Sequence, residues 1–169
     1  NRWTAALGFR ATGDRLLLCP TEGRTTPAGG WVTIDTNDPA RSYVLNGASD
    51  LFAERLGPEG FTRLLKEKSV ASASLDAFAE PADTILFGEK LASSPSLLVD
   101  VLGNGGSYLG DLAEWRHGGS PTAPRKGTAN YALADGTVRV IGWGKATCPI
   151  NLWAVLGEWR TNGALCHPR

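Results

Sequence analysis

Methionine is absent from the chain, histidine occurs twice and cysteine three times in 169 residues. Each scarcity removes a class of chemistry. Serine or thiol nucleophiles need a histidine base; His167 stands at the far C-terminus, which leaves His117 as the one credible base. Cys19, Cys148 and Cys166 form no CxxC pair, so the zinc-ribbon and thioredoxin spacings are missing. No GxSxG, HExxH or GxxxxGK[ST] occurs, and the glycines of "GNGG" lack the strand-loop-helix setting of a phosphate cradle. No apolar run reaches the roughly 18 residues of a transmembrane helix.

The residues that are present describe one folded domain over 1–169. Hydrophobic residues make up 42% and charged residues 20%, with six tryptophans, which is a globular composition. Glycine (21) and proline (10) promise many turns. Net charge is zero but divided: residues 1–115 carry ten Lys/Arg against fifteen Asp/Glu, and residues 116–169 carry seven against two. Such an imbalance fits complementary faces within or between subunits, and is too small for generic nucleic-acid binding.

Along the chain, "NRWTAALGFRA" opens with helical spacing and is expected to be the cut end of a longer helix. "RLLLCP" and "WVTID" read as short strands, as does "RSYVLNG". Ser49 or Asp50 is placed to cap "DLFAERLG", and Pro58 to start a second amphipathic helix, "PEGFTRLLKEK". "TILFGEK" is the clearest central strand, "SLLVDVLG" a further short apolar run, and "NGGSYLGDLAEW" a loop or single helical turn. "ANYALADGTVRVIGWG" predicts two strands about Asp135-Gly136, a dipeptide favoured in two-residue type I′ turns. "NLWAVLGEW" closes the chain as a short helix or strand. With no βαβ alternation, the expected class is α+β: an N-terminal helix on an antiparallel sheet, with short extra helices and long loops.

Three constellations stand out. His117 with Asp135 is either a base and its orienting acid or, in the reading adopted, a pair of loop and turn locks, with Asp135-Gly136 fixing the hairpin. Asp100, Asn104 and Asp111 supply the hard oxygens that calcium prefers, without EF-hand spacing; the alternative is a solvated Asn-Gly-Gly turn. Cys148 and Cys166 bracket a segment whose disulfide would close a loop of about 19 residues and stabilise by roughly 3 kcal/mol; three buried thiols are the other option. Trp115, Trp143, Trp153 and Trp159 are either core and interface anchors or the wall of a sugar or peptide groove.

The ordered pieces "LLLCP", "SYVLNG", "PADTILFGEK" and "RHGG" leading to "ANYALADGTVRV" resemble the bacterial prepilin-type proteins with a C-terminal His-to-Asp-Gly motif, relatives of type II secretion pseudopilins. The resemblance covers most of the chain. It departs from the family pattern twice: seventeen residues separate His117 from Asp135 where nine are usual, which makes "SPTAPRK" an insertion, and Thr137 stands where a histidine often follows Asp-Gly. It implies a pilin-like fold whose N-terminal helix anchors in the inner membrane and then packs in a filament core. It also implies a non-enzymatic subunit in the cell envelope, facing the periplasm. The implied partners are other pilin-like subunits and the assembly machinery, with no nucleic acid, and the implied cofactor is at most a structural Ca²⁺ in the Asp100–Asp111 loop. The rival expectation is a small calcium- or carbohydrate-binding extracytoplasmic module.

Overall fold

The computed structural model describes residues 18–21, 42–67, 72–91, 94, 96, 98–102 and 107–161. The N-terminal helix, the "WVTID" strand, Asn104 and Cys166 of the expectations above lie outside these residues. The described elements make an α+β fold. Strands β1 (Tyr43–Asn46), β2 (Ile85–Glu89), β3 (Leu98–Val99), β4 (Thr128–Leu133) and β5 (Val138–Gly142) form one sheet in the order β3-β1-β2-β4-β5. The sheet is mixed, whereas an antiparallel one was expected. β1–β2, β2–β4 and β4–β5 are antiparallel, but β3 runs parallel to β1, pairing Leu45 with Leu98 and Asn46 with Val99.

"ILFGE" does take the central place, and its apolar residues put Ile85 at 0% exposure. β4 alternates outward and inward positions, sending Ala129, Tyr131 and Leu133 into the core. Tyr131 meets Trp153 edge to face at 6.1 Å, within a cluster that includes Val44, Val99, Val101, Leu109 and Leu112. Trp153 is therefore a core anchor, and Trp115, Trp143 and Trp159 are half-buried.

Helix α1 (Ser49–Glu67) is broken at Gly57 (φ 66°), and Pro58 restarts it, matching the two helical segments expected there. Ser49 and Asp50, the expected caps, direct their side chains mainly across the fold. The Ser49 hydroxyl accepts from Leu102 N–H at 3.3 Å. The Asp50 carboxylate, fully buried, accepts from Val155 N–H at 2.7 Å and Leu156 N–H at 2.8 Å. The start of α1 is thereby tied to the segment that precedes α2 (Gly157–Arg160). Asn46 makes a parallel tie, donating to the carbonyls of Ile85 (2.7 Å) and Trp153 (2.8 Å). Among the described residues, no helix is long and apolar enough to cross a membrane.

The β4–β5 connection differs in type from the one expected. Only Gly136 has a positive φ (88°), whereas a type I′ turn requires it at both central positions. Gly136 N–H instead donates to Leu133 C=O at 3.0 Å, and Leu133 N–H to Thr137 C=O at 2.8 Å. This is the pattern of a three-residue loop closed by a left-handed glycine.

Burial raises the Asp50 pKa above the ordinary aspartate value, and the Leu156 and Val155 amides pull it back only in part. A raised folded-state pKa gives a contribution that is complete below the unfolded value of about 3.9 and lost as pH rises through the folded value. Urea unfolding over a pH series should therefore show wild type losing stability relative to Asp50→Asn as pH rises from about 4. Asp50→Ala, which orphans two buried amides, should cost about 2 kcal/mol or more at every pH.

Candidate functional site

Four segments far apart in sequence meet beyond the end of β2. Glu89, the last residue of that strand, has no exposed surface. A buried carboxylate is retained only when charge and hydrogen bonds compensate it. Its Oε1 and Oε2 lie 3.1 and 3.0 Å from His117 Nε2, and Oε2 accepts from Asn130 N–H at 2.8 Å. The Arg116 guanidinium stands 3.7 Å away, with a second nitrogen on the Lys90 carbonyl. The Asn130 side-chain amide reaches His117 Nε2 at 2.9 Å, and Cys19 Sγ lies 3.9 Å from the same nitrogen.

Local structure explains why these side chains converge. The segment carrying Leu112 to His117 continues the sheet past β2: Lys90 bridges Leu112, and Ala113 N–H donates to Glu89 C=O at 2.9 Å. His117 then pairs with Thr128, exchanging two backbone hydrogen bonds of 2.9 Å. That pair closes the base of a loop over 118–127, in which Ala123 N–H bonds Ser120 C=O and a 3₁₀ turn spans Pro124–Lys126. The loop returns along Trp115 so closely that a Cβ on Gly127 would lie 2.5 Å from the Trp115 Cα, so only glycine fits. Arg125 sits over the Trp143 ring at 5.8 Å. The "SPTAPRK" stretch is thus held outside the His117 node. On the opposite side, Cys19 is held by its N–H to Ser42 Oγ (2.8 Å) and by a contact of Sγ with Thr21 Oγ1 (2.9 Å).

His117 and Asp135, considered together from sequence, occupy opposite ends of β4. Asp135 lies in the hairpin turn, where its Oδ1 accepts from Thr137 N–H (2.9 Å) and Thr137 Oγ1 (2.7 Å). These bonds lower its pKa, the backbone one most. Asp100 and Asp111, the two described members of the expected calcium set, have separate partners. Asp100 Oδ1 accepts from Leu102 N–H at 2.9 Å, and Asp111 Oδ2 from Ser96 Oγ at 2.5 Å. Cys148 is disulfide-bonded, and Cys19 is a free, buried thiol.

Sequence reasoning missed Glu89, Cys19 and Asn130 as partners of His117. The available signal was that each sits in one of the quoted motif pieces. Tyr131 next to the node is pushed well above the usual phenol pKa by burial, and secondarily by the Glu114 and Glu89 charges.

Chemically, the arrangement differs from a nucleophile-base-acid relay, in which the base uses one ring nitrogen for the nucleophile and the other for the orienting acid. Here thiol and carboxylate both address Nε2. Among the described residues, Cys19 Sγ, a Glu89 oxygen and a His117 ring nitrogen lie within 4.8 Å of one another, a spacing compatible with a shared metal ion. No family model matches the chain, and no curated protein or solved structure matches it significantly.

Removing Glu89 leaves the Asn130 amide without its buried acceptor and the Arg116 guanidinium without its nearby carboxylate charge. Glu89→Ala should therefore lose about 3–5 kcal/mol in denaturant unfolding. Asp135→Ala should lose less. Because the Asp135 pKa is lowered, that loss should be present above the unfolded value of about 3.9 and vanish as pH falls through the folded value.

Proposed function

We propose that the chain is a non-enzymatic structural subunit, the periplasm-facing domain of a pseudopilin-like protein in a type II secretion or type IV pilus-like assembly. One observation carries this reading. The motif pieces on which the family resemblance rests are the pieces that meet around His117: Cys19 of "LLLCP", Ser42 of "SYVLNG", Glu89 of "PADTILFGEK", His117 of "RHGG" and Asn130 of "ANYALADG". Thiol and carboxylate address the same ring nitrogen and not opposite ones, which favours a lock between segments over a nucleophile-base-acid relay. The α+β class, with "ILFGE" central in the sheet, is the class the resemblance implies.

Two further features support the reading. The insertion within the His-to-Asp-Gly spacing is held in a loop closed at His117 and Thr128, so the departure from the family spacing leaves the node in place. Asp135-Gly136 retains its structural role in the hairpin, with Thr137 completing the turn through its hydroxyl. On this reading the inner membrane is reached through an N-terminal apolar helix, and the partners are like subunits and the machinery that assembles them.

Cross-linking of the full-length protein in intact cells tests the proposal. A ladder of multiples of the subunit, dependent on the prepilin-processing peptidase, is the expected result. A monomer at every cross-linker concentration, unprocessed at its N-terminus, would overturn it.

A further inference from the structure

We infer that Cys19, Glu89 and His117 form a binding site for a divalent transition-metal ion of the Zn²⁺ type. The inference stands on the geometry of the node and is independent of the filament assignment.

The argument begins with a mismatch of donors and acceptors. His117 Nε2 carries either one proton or one lone pair. Around it stand both oxygens of Glu89 at 3.1 and 3.0 Å, the Asn130 side-chain amide at 2.9 Å and Cys19 Sγ at 3.9 Å. If Nε2 is protonated, it serves the carboxylate but opposes the amide N–H₂. If it is unprotonated, it accepts from the amide but opposes the carboxylate. Turning the Asn130 amide over presents its oxygen and removes one conflict, yet one proton must then be shared by the carboxylate and the amide oxygen, with the thiol still facing the same nitrogen. A cation at their common centre satisfies all of them as donors of lone pairs.

The donor set selects the ion. Sulfur, imidazole nitrogen and carboxylate oxygen together suit Zn²⁺, while Ca²⁺ and Mg²⁺ favour oxygen alone. Zinc bonds of 2.0–2.3 Å put tetrahedral ligand atoms about 3.3–3.7 Å apart, and the three ligand atoms here lie within 4.8 Å of one another. Closing onto an ion therefore takes modest side-chain movement. The surroundings are also those of a metal site. Glu89 Oε2 is oriented by Asn130 N–H at 2.8 Å, and Cys19 is fixed through its own N–H on Ser42. Cys19 and Glu89 are buried, and only His117 is partly exposed, which provides an entry side. Asn130, through its side-chain oxygen, or water supplies the fourth position. On binding, the Cys19 S–H bond breaks, its proton leaves to solvent, and the thiolate coordinates the ion.

The test uses the oxidised, chelator-stripped protein with its disulfide intact, titrated with Zn²⁺ and separately with Co²⁺ as a spectroscopic probe. The expected result is one equivalent bound, a thiolate-to-Co²⁺ charge-transfer band, and an affinity unaffected by millimolar Ca²⁺. Cys19→Ser, checked for folding by near-UV circular dichroism, should lose the band and weaken Zn²⁺ binding by at least about 100-fold. His117→Gln should also lose the band. A folded wild type that shows neither binding nor band would overturn the inference. So would a folded Cys19→Ser that binds Zn²⁺ as tightly as wild type, because the ligands would then lie elsewhere. Neither result bears on whether the subunit assembles.

Discussion

A carboxylate with no access to water sits at the end of the central strand, and much of the structure follows from the need to compensate it. Glu89 draws in a backbone amide from β4, an imidazole from the segment after Trp115, and a guanidinium from the residue before that imidazole. Each contact fixes a different part of the chain. Asn130 sets the register of β4 against β2, and His117 pairs with Thr128 to begin β4. Arg116 anchors to the Lys90 carbonyl as the chain leaves β2. A buried ion pair is weak evidence for net stability, but removing one member is costly, so such a node favours one arrangement over its alternatives.

A second buried carboxylate does the same at the other end of the fold. Asp50 has two amides from the C-terminal segment on one oxygen and none from the described residues on the other, and burial raises its pKa. The two acids divide the labour. Glu89 organises the sheet and the His117 loop, and Asp50 joins α1 to the residues that lead into α2. Between them the Tyr131–Trp153 pair fills the core. Apolar burial supplies the general driving force, and the polar ties determine which strand lies beside which.

Much of the sheet was legible in the sequence because its strongest elements depend on local pattern. "TILFGEK" is apolar enough to demand the centre, "ANYALADGTVRV" alternates around an Asp-Gly turn, and Gly57-Pro58 marks the break between helical segments. The parallel strand β3 was not legible as such, since two residues carry no periodicity and the pairing with β1 is a tertiary choice. The turn type was misjudged because Asp-Gly suits both a two-residue and a three-residue hairpin, and the Thr137 hydroxyl on Asp135 favours the latter. The candidate site was legible only through His117. Asp135 shares a motif with His117 and reads as a separate turn lock, which it is, while Glu89 goes unnoticed because a glutamate closing a strand reads as an exit to solvent. Cys19 lies 98 residues from His117, and only the fold brings the two together.

The central claim is that Glu89 and His117 act as one unit, and a double-mutant cycle tests it most directly. Glu89→Gln, His117→Gln and the double variant would be compared by urea unfolding at neutral pH in the presence of a chelator. A coupling energy of about 1 kcal/mol or more, with each single variant costing nearly as much as the pair, is the expected result. Additivity within about 0.5 kcal/mol would contradict it, because the two side chains would then contribute independently and the node would be a proximity without consequence.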